Sequence, residues 1–478
     1  MGLTSEAIAY VRQRHARFLR ELQEFVRIPS VSAQPRHAGD VRRCAEWLAE
    51  HLRRIGMEQA TVEETARHPV VSALWRRAPG RPTVLIYGHY DVQPAGPPEA
   101  WAVPPFAATV PDGALYGRGA SDDKGPLFAH VKALEAYLRT GSLPLNVVCL
   151  FEGEEEIGSP SLRAFLEQRR WYFAADVAVA SDTRFLAPGR PAIIYALRGS
   201  LSMELELHGQ RRDLHSGIFG GAIHNPLQAI CELVARLHSA DGRVAIPGFY
   251  QRVRRVSPAE RVAMARVGPG DAQILHDAGA HLGWGEATDA QGLPYTLYER
   301  TTIRPALTIN GLTGGYQGPG GKAVIPARAL AKLSFRLVPD QEPDEIAWLA
   351  RRQIAWLTPP TMRGIVRVRL GARPTRIDPL LPAFGAAARA YRRSFGASPV
   401  LLRSGGSIPV VTLFQELLGI PTVLMGLSLP DDGMHGPNER FRLTQFYTGI
   451  ETCVHFLAEA ARCEDLAGAA GSLRKRNR

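Results

Sequence analysis

Five loops in this chain place metal-binding side-chain types just beyond short apolar runs. After "TVLIYG" come His89 and, two residues on, Asp91. The turn "GALYGRGAS" runs into Asp122 and Asp123, and "LNVVCLF" runs into Glu152, Glu154, Glu155 and Glu156. Asp182 follows "DVAVAS", and Asp431, Asp432 and His435 follow "TVLMGL". A lone histidine or a short acidic run is as a rule a solvated surface feature. Five such loops at equivalent strand ends point instead to one cleft, because open α/β sheets place their sites outside the carboxyl ends of their strands. Imidazole nitrogen with carboxylate oxygen suits a divalent cation, zinc or manganese especially. A cation would also offset the repulsion of three adjacent glutamates, which in an exposed loop falls to water and salt.

The elements that would position these residues are legible from periodicity. "PTVLIYGHYD", "LNVVCLF", "DVAVAS" (176–181) and "PTVLMGL" (421–427) read as buried strands. "GPLFAHVKALEAYLRTG" reads as a helix with Pro126 in its first turn and Gly141 after its end. Residues 5–26 carry one helical stripe, with Ile8, Val11, Phe18, Leu19 and Leu22. Apolar strands alternating with helices predict an α/β domain with a mostly parallel sheet covered on both faces. The middle differs. "LSMELELHG" (201–209) and "ALAKLSFRLVP" (329–339) alternate apolar and polar, as strands with one solvated face do. "HNPLQAICELVARLHS" is a helix that Asn225 caps. The expected organisation is a first domain of residues 1–197, an inserted α+β domain of 198–382, and a return to the first domain over 383–478. Residues 241–300 read as loop and short helix.

Totals limit the function classes. A chain of 478 residues needs more than one core, and 45% hydrophobic with 22% charged residues is a globular composition. No apolar run is long enough to span a bilayer, the N-terminal stretch has no h-region, and Glu6 stands where a myristoylation site wants serine or threonine. Five sparse cysteines without a CxxC pair fit a reducing cytoplasm, which is the expected location. The net charge of +11 comes from scattered arginines, and the dense cluster "RKRNR" is terminal, so neither a nucleic-acid nor a membrane partner is expected.

The motifs "GHYDVQP" (88–94), "GRGASDDKG" (117–125), "EGEEEIGS" (152–159), "SDT" (181–183), "DLHSGIFGG" (213–221), "FRLVP" (335–339), "RSGGSIPV" (403–410) and "DDGMHGPNE" (431–439) resemble the M20 family of metallopeptidases. The nearest branch resembles the carnosinase-type cytosolic dipeptidases, and the motifs keep the family's order over nearly the whole chain. The resemblance implies two divalent ions per chain, zinc first, with manganese or cobalt as alternatives. Asp122 would bridge them, His89 and Asp182 would hold one, and Glu156 and His435 the other. Glu155 would be the general base, Asp91 would orient the His89 ring, and Asp123 would follow Asp122 through a cis peptide. The inserted domain would serve as lid and dimerisation domain of a homodimer. From there His215 would reach the partner subunit's cleft as an oxyanion donor, and Arg336 would clamp the substrate's carboxylate. Without the resemblance, His215 reads as a cap in a glycine-rich turn and Arg336 as an arginine on a solvated strand face.

Two departures from the branch pattern bear on substrate. "RSGGS" places Ser404 where a glutamate usually helps receive the substrate's amino group, beside Gly405 and Gly406, and "KAVIP" places Ala323 where a hydroxyl is usual. The expected activity is hydrolysis of the amide bond in dipeptides or other short peptides. A deacylase or desuccinylase acting on N-acyl amino acids is the alternative. A non-catalytic peptide-binding protein is the reading from another class, and the intact ligand set with Glu155 argues against it.

Overall fold

The computed structural model describes residues 2–289 and 291–468, so the terminal basic cluster lies outside the described residues. The chain divides into two compact units. The first comprises the chain up to Tyr195, Ile377–Leu402 and the chain from Leu413; the second comprises Ala196–Arg376 and Arg403–Thr412. The sequence pattern assigns all of 383–478 to the first domain. Residues 403–412 instead cluster with the second, because Arg198 grips them: its backbone N–H donates to Gly406 O at 3.1 Å and its Nε to Gly405 O at 3.0 Å.

The first unit is built on a mixed sheet whose order runs Glu58–Glu63, Val70–Trp75, Asn146–Glu152, Thr83–His89, Val177–Ala180, Thr422–Met425, Ala192–Leu197. The four strands from Asn146–Glu152 to Thr422–Met425 are parallel to one another, as the apolar runs predict. The outer strands pair antiparallel, which composition alone does not reveal. Val84, Leu85, Ile86 and Tyr87 have no exposed surface, as expected for a parallel strand covered on both faces. Each such aliphatic side chain contributes about 1.5–3 kcal/mol over exposure. Helix Lys124–Thr140 packs on strand Thr83–His89 and is buried nearly all round, including Lys132 and Glu135. Lys132 is held there by Glu21 and by Glu135 at 2.8 Å. The stripe over 5–26 forms two helices, Leu3–Gln13 and His15–Val26, separated at Arg14.

The second unit carries a four-stranded antiparallel sheet in the order Ala306–Gly314, Arg328–Leu337, Gly199–His208, Arg363–Ala372. One face is core: Leu201, Met203, Leu205 and Leu207 meet Ala331, Leu333 and Phe335. Helices Pro226–Ala235 and Pro343–Leu357 pack against these strands, the former capped by Asn225, whose side chain accepts from Leu227 N–H. The other face is polar, with Glu206 paired to Arg328 and Arg367 and Glu204 to Arg369. Residues 241–300 hold the short helices Pro258–Val267 and Asp271–Ala278. The five cysteines are unpaired, and no helix among the described residues is long and apolar enough to cross a membrane.

Candidate metal centre

Every residue expected to hold metal lies in the first unit, at the C-terminal end of a strand or in the loop after one. Two clusters result. In one, ligand atoms of His89, Asp122 and Asp182 lie within 4.8 Å of one another; in the other, those of Asp122, Glu156 and His435 do. Asp122 belongs to both and divides its oxygens between them. Its Oδ1 is 3.1 Å from His89 Nε2, and its Oδ2 is 2.9 Å from His435 Nε2. His89 Nε2 is also 4.0 Å from Asp182, and His435 Nε2 is 3.3 Å from Glu156. His435 has a left-handed backbone, with φ +61°. Gln93 Nε2 donates to Glu156 at 2.8 Å.

Fixed contacts hold each part in place. Asp122–Asp123 is a cis peptide, and Asp123 Oδ2 accepts from His89 N–H at 3.2 Å. A Cβ on Gly88 would come within 2.8 Å of that same oxygen, so glycine is required there. The Asp91 carboxylate does more than face His89. His89 Nδ1 lies 3.0 Å from the backbone carbonyl of Asp91 and 3.5 Å from its carboxylate. That carboxylate accepts from Glu155 N–H at 3.2 Å, Glu156 N–H at 3.1 Å and Ser32 Oγ at 2.6 Å. It therefore ties the His89 loop to the glutamate loop.

The glutamate run is not a solvated loop. Glu154, to which the family resemblance gives no role, is buried and accepts from His68 N–H at 2.7 Å and Ser161 N–H at 2.9 Å. Glu152 is buried too, accepts from Tyr87 Oη at 2.7 Å, and has its pKa pushed up to about 8 by burial. Glu156 is in a cluster. Glu155 is in neither, and its carboxylate makes no hydrogen bond or ion pair among the described residues.

Sequence reasoning passed over Glu439, although it stood in a quoted motif. It is fully buried, and its carboxylate accepts from Arg118 Nη1 at 2.7 Å and from the backbone N–H groups of Gly119, Ser121 and Asp122 at 2.9, 2.9 and 3.1 Å. It thus cradles the loop that presents Asp122. The signal for it is an acid four residues beyond the candidate ligand His435, and sequence offers nothing to show where it turns.

The donor set fits divalent cations. Burial, then the charges of Asp122 and its neighbours, raise the pKa of Asp182 well above the usual carboxylate range. Burial likewise raises Glu155, with Glu156, Asp122 and Asp91 adding to the rise. Burial disfavours the charged form of His89, yet hydrogen bonds to Asp122 and Asp91 raise its pKa well above 6.5. So many acids around two imidazoles leave an excess of negative charge that cations would neutralise.

The remaining predicted residues lie in the second unit. His215 is exposed and caps the short helix Ser216–Phe219, its Nδ1 accepting from Gly217 N–H at 3.0 Å. Arg336 Nη1 donates to Ser407 Oγ at 2.9 Å. Ser404 Oγ accepts from Gly406 N–H at 3.1 Å, and Gly405 lies under Arg198. Contacts inside that unit thus account for all five.

The chain matches the model of peptidase family M20/M25/M40 over residues 85–459. It is 31% identical to Cys-Gly metallodipeptidase dug1 of Schizosaccharomyces pombe, over 93% of this chain and 96% of that one. It is 30% identical to the Beta-Ala-His dipeptidase of Homo sapiens, over 96% of this chain and 93% of that one. Among solved structures it resembles the M20 family metallo-carboxypeptidase Sso-CP2 from Sulfolobus solfataricus, with a TM-score of 0.85 and 31% identity over 93% of this chain and 99% of that one. The match covers most of the chain, both clusters lie within it, and the chain therefore belongs to peptidase family M20/M25/M40 and is a metallopeptidase.

Proposed function

We propose that this enzyme hydrolyses the amide bond of dipeptides or other short peptides, using two divalent cations and Glu155 as general base. The observation that carries this is a pair of ligand clusters sharing Asp122, with one further carboxylate, Glu155, outside both. The named activities of the relatives, Cys-Gly and Beta-Ala-His dipeptidase, lie in the same class. His89, Asp122 and Asp182 would hold one cation and Asp122, Glu156 and His435 the other, with zinc expected first and manganese or cobalt compatible with the same donors. Bound there, the cations supply the charge that acidifies a water and polarises the scissile carbonyl. Glu155 takes the proton from the attacking water and delivers it to the leaving amine. Asp91 holds the glutamate loop in register, so that Glu155 and Glu156 keep distinct roles. Arg336 binds the terminal carboxylate, which a planar guanidinium suits. The protein acts as a homodimer, in which the partner subunit's His215 donates to the developing oxyanion. The unpaired cysteines suit a reducing cytoplasm.

A second reading, hydrolysis of N-acyl amino acids, is favoured by Ser404. The stretch "RSGGS" offers no carboxylate for a substrate ammonium group, and the Ser404 hydroxyl is engaged within its own loop. A panel of free and N-acylated dipeptides separates the two readings. Glu155→Gln tests the mechanism: metal content should stay at the wild-type level while kcat falls by about 10² or more. Loss of metal in this variant would make Glu155 a ligand and overturn the assignment.

A further inference from the structure

The polar face of the second unit's sheet is charged unevenly along its length. At one end Glu204 and Glu206 are matched by Arg328, Arg367 and Arg369. At the other end stand Arg198 and Arg336, and neither makes an ion pair among the described residues. Register brings them together. Arg336 lies opposite Ser200 across the strand pair, Arg198 stands just before that strand begins at Gly199, and both hold one loop, Arg198 Nε donating to Gly405 O and Arg336 Nη1 to Ser407 Oγ.

Arg198 is fixed, not free to swing into water. Its Nε donates to Gly405 O at 3.0 Å and its Nη1 to Arg304 O at 3.4 Å. Its Nη2 passes over Gly405, where a Cβ would stand 3.2 Å from it. That Nη2 makes no hydrogen bond among the described residues. Burial, followed by the charge of Arg336, lowers the Arg198 pKa to about 10. Two half-buried guanidinium groups side by side, satisfied only by carbonyls and one hydroxyl, are costly unless an anion joins them.

We propose that Arg198 is a specificity-determining residue that, with Arg336, forms a doubly cationic subsite selecting substrates whose C-terminal residue carries a second carboxylate, aspartate or glutamate. The inference rests on the peptidase reading, in which Arg336 takes the terminal carboxylate. One carboxylate leaves one guanidinium unmatched. A second pairs with the open Nη2 of Arg198, and charge-assisted pairing of this kind is strong and directional.

The test compares Ala-Glu with Ala-Gln, which differ in charge and hardly in shape, by kcat/KM. Wild type should prefer Ala-Glu by about tenfold to a hundredfold, as expected for one hydrogen-bonded charge. Arg198→Met should bring the ratio toward one, and Arg198→Lys should retain more of it than Arg198→Met does. A residue that merely props Gly405 would lower both substrates by one factor and leave the ratio intact, and that result overturns the proposal. So does a wild-type ratio of one. Calorimetric titration of the wild-type protein with glutarate and with glutaramate, its monoamide, needs no variant to fold. Tighter binding of glutarate supports the subsite, and equal binding overturns it. If wild type cleaves neither dipeptide, the peptidase reading fails, and the glutarate comparison alone decides the role of Arg198.

Discussion

Glu439→Gln probes the cradle beneath Asp122. The glutamate carboxylate receives four donors, at 2.7 to 3.1 Å, and is fully buried. Glutamine keeps the shape but replaces one acceptor oxygen with an NH₂ group. Its single oxygen can serve two of the donors, such as Ser121 N–H and Asp122 N–H. The NH₂ group then faces Gly119 N–H and the Arg118 guanidinium, donor against donor. An unmade buried hydrogen bond costs about 1–3 kcal/mol, and stranding one member of a buried ion pair costs about 3–5 kcal/mol. Arg118 keeps its second contact, Nη2 to Gly436 O at 2.9 Å, so the lower part of that range applies. The expected loss is about 3 kcal/mol, a large part of a typical folding free energy. Denaturant unfolding of both proteins under matched metal conditions measures it. Because the same cradle orients Asp122, metal affinity should fall by about 10- to 100-fold, as is usual when a group supporting a ligand is altered. Competition with a chromophoric chelator reads that directly. A variant with wild-type stability and wild-type affinity would refute the cradle. One that lost stability but not affinity would show that Glu439 supports the fold without positioning Asp122.

Three further predictions concern the subunit exchange, the cations and a buried histidine. Mixing inactive His215→Ala chains with inactive Glu155→Gln chains should restore at most about half of wild-type activity per mixed dimer, because one of its two centres is whole; a verified heterodimer that stays inactive returns His215 to its capping role. Exhaustive chelation should abolish hydrolysis, and zinc or manganese should restore it; activity that survives complete metal removal sinks the two-cation reading. Buried His130, hydrogen-bonded to Ser181 at 2.8 Å, has its pKa lowered to about 4 by burial. Between pH 6.5 and 4 the unfolded chain therefore binds a proton that the folded chain does not, and stability falls as pH falls. The loss is about 2.5 kcal/mol between pH 7 and 4.5. His130→Gln should lose that much less over the same window, and parallel stability curves would show that His130 does not titrate in this way.

The strand ends were legible because buried parallel strands are continuous apolar runs, and the first polar residue after each marks the rim of the sheet. The strands ending at His89, before Asp182 and before the glutamate run were readable in this way. What sequence withheld were partners brought together only by folding. Glu154 reads as a solvated charge until Thr65, His68 and Ser161 are seen to donate to it. Glu439 reads as one more loop acid until it is found beneath residues 118–122. Asp91 reads as the ring partner of His89 until its carboxylate is seen to take two backbone N–H groups of the glutamate loop. Residues 403–412 cluster with the second unit, and no periodicity in "RSGGSIPV" records that Arg198 holds its backbone. The antiparallel outer strands escaped for a related reason, since pairing direction depends on neighbours and not on composition.

The hydrogen bond from Asp122 N–H to Glu439 spans 317 residues of chain. During synthesis this has a direct result. Ribosomes add roughly 5–20 residues per second, so the loop bearing Asp122 exists for many seconds before the carboxylate that organises it has been made. His435 is equally late. A nascent chain therefore carries His89, Asp122, Glu156 and Asp182 as loosely arranged acids and one imidazole, a poor trap for any cation. The cluster of Asp122, Glu156 and His435 can form only after His435 has been made, and the loop that presents Asp122 settles only after Glu439 has followed it.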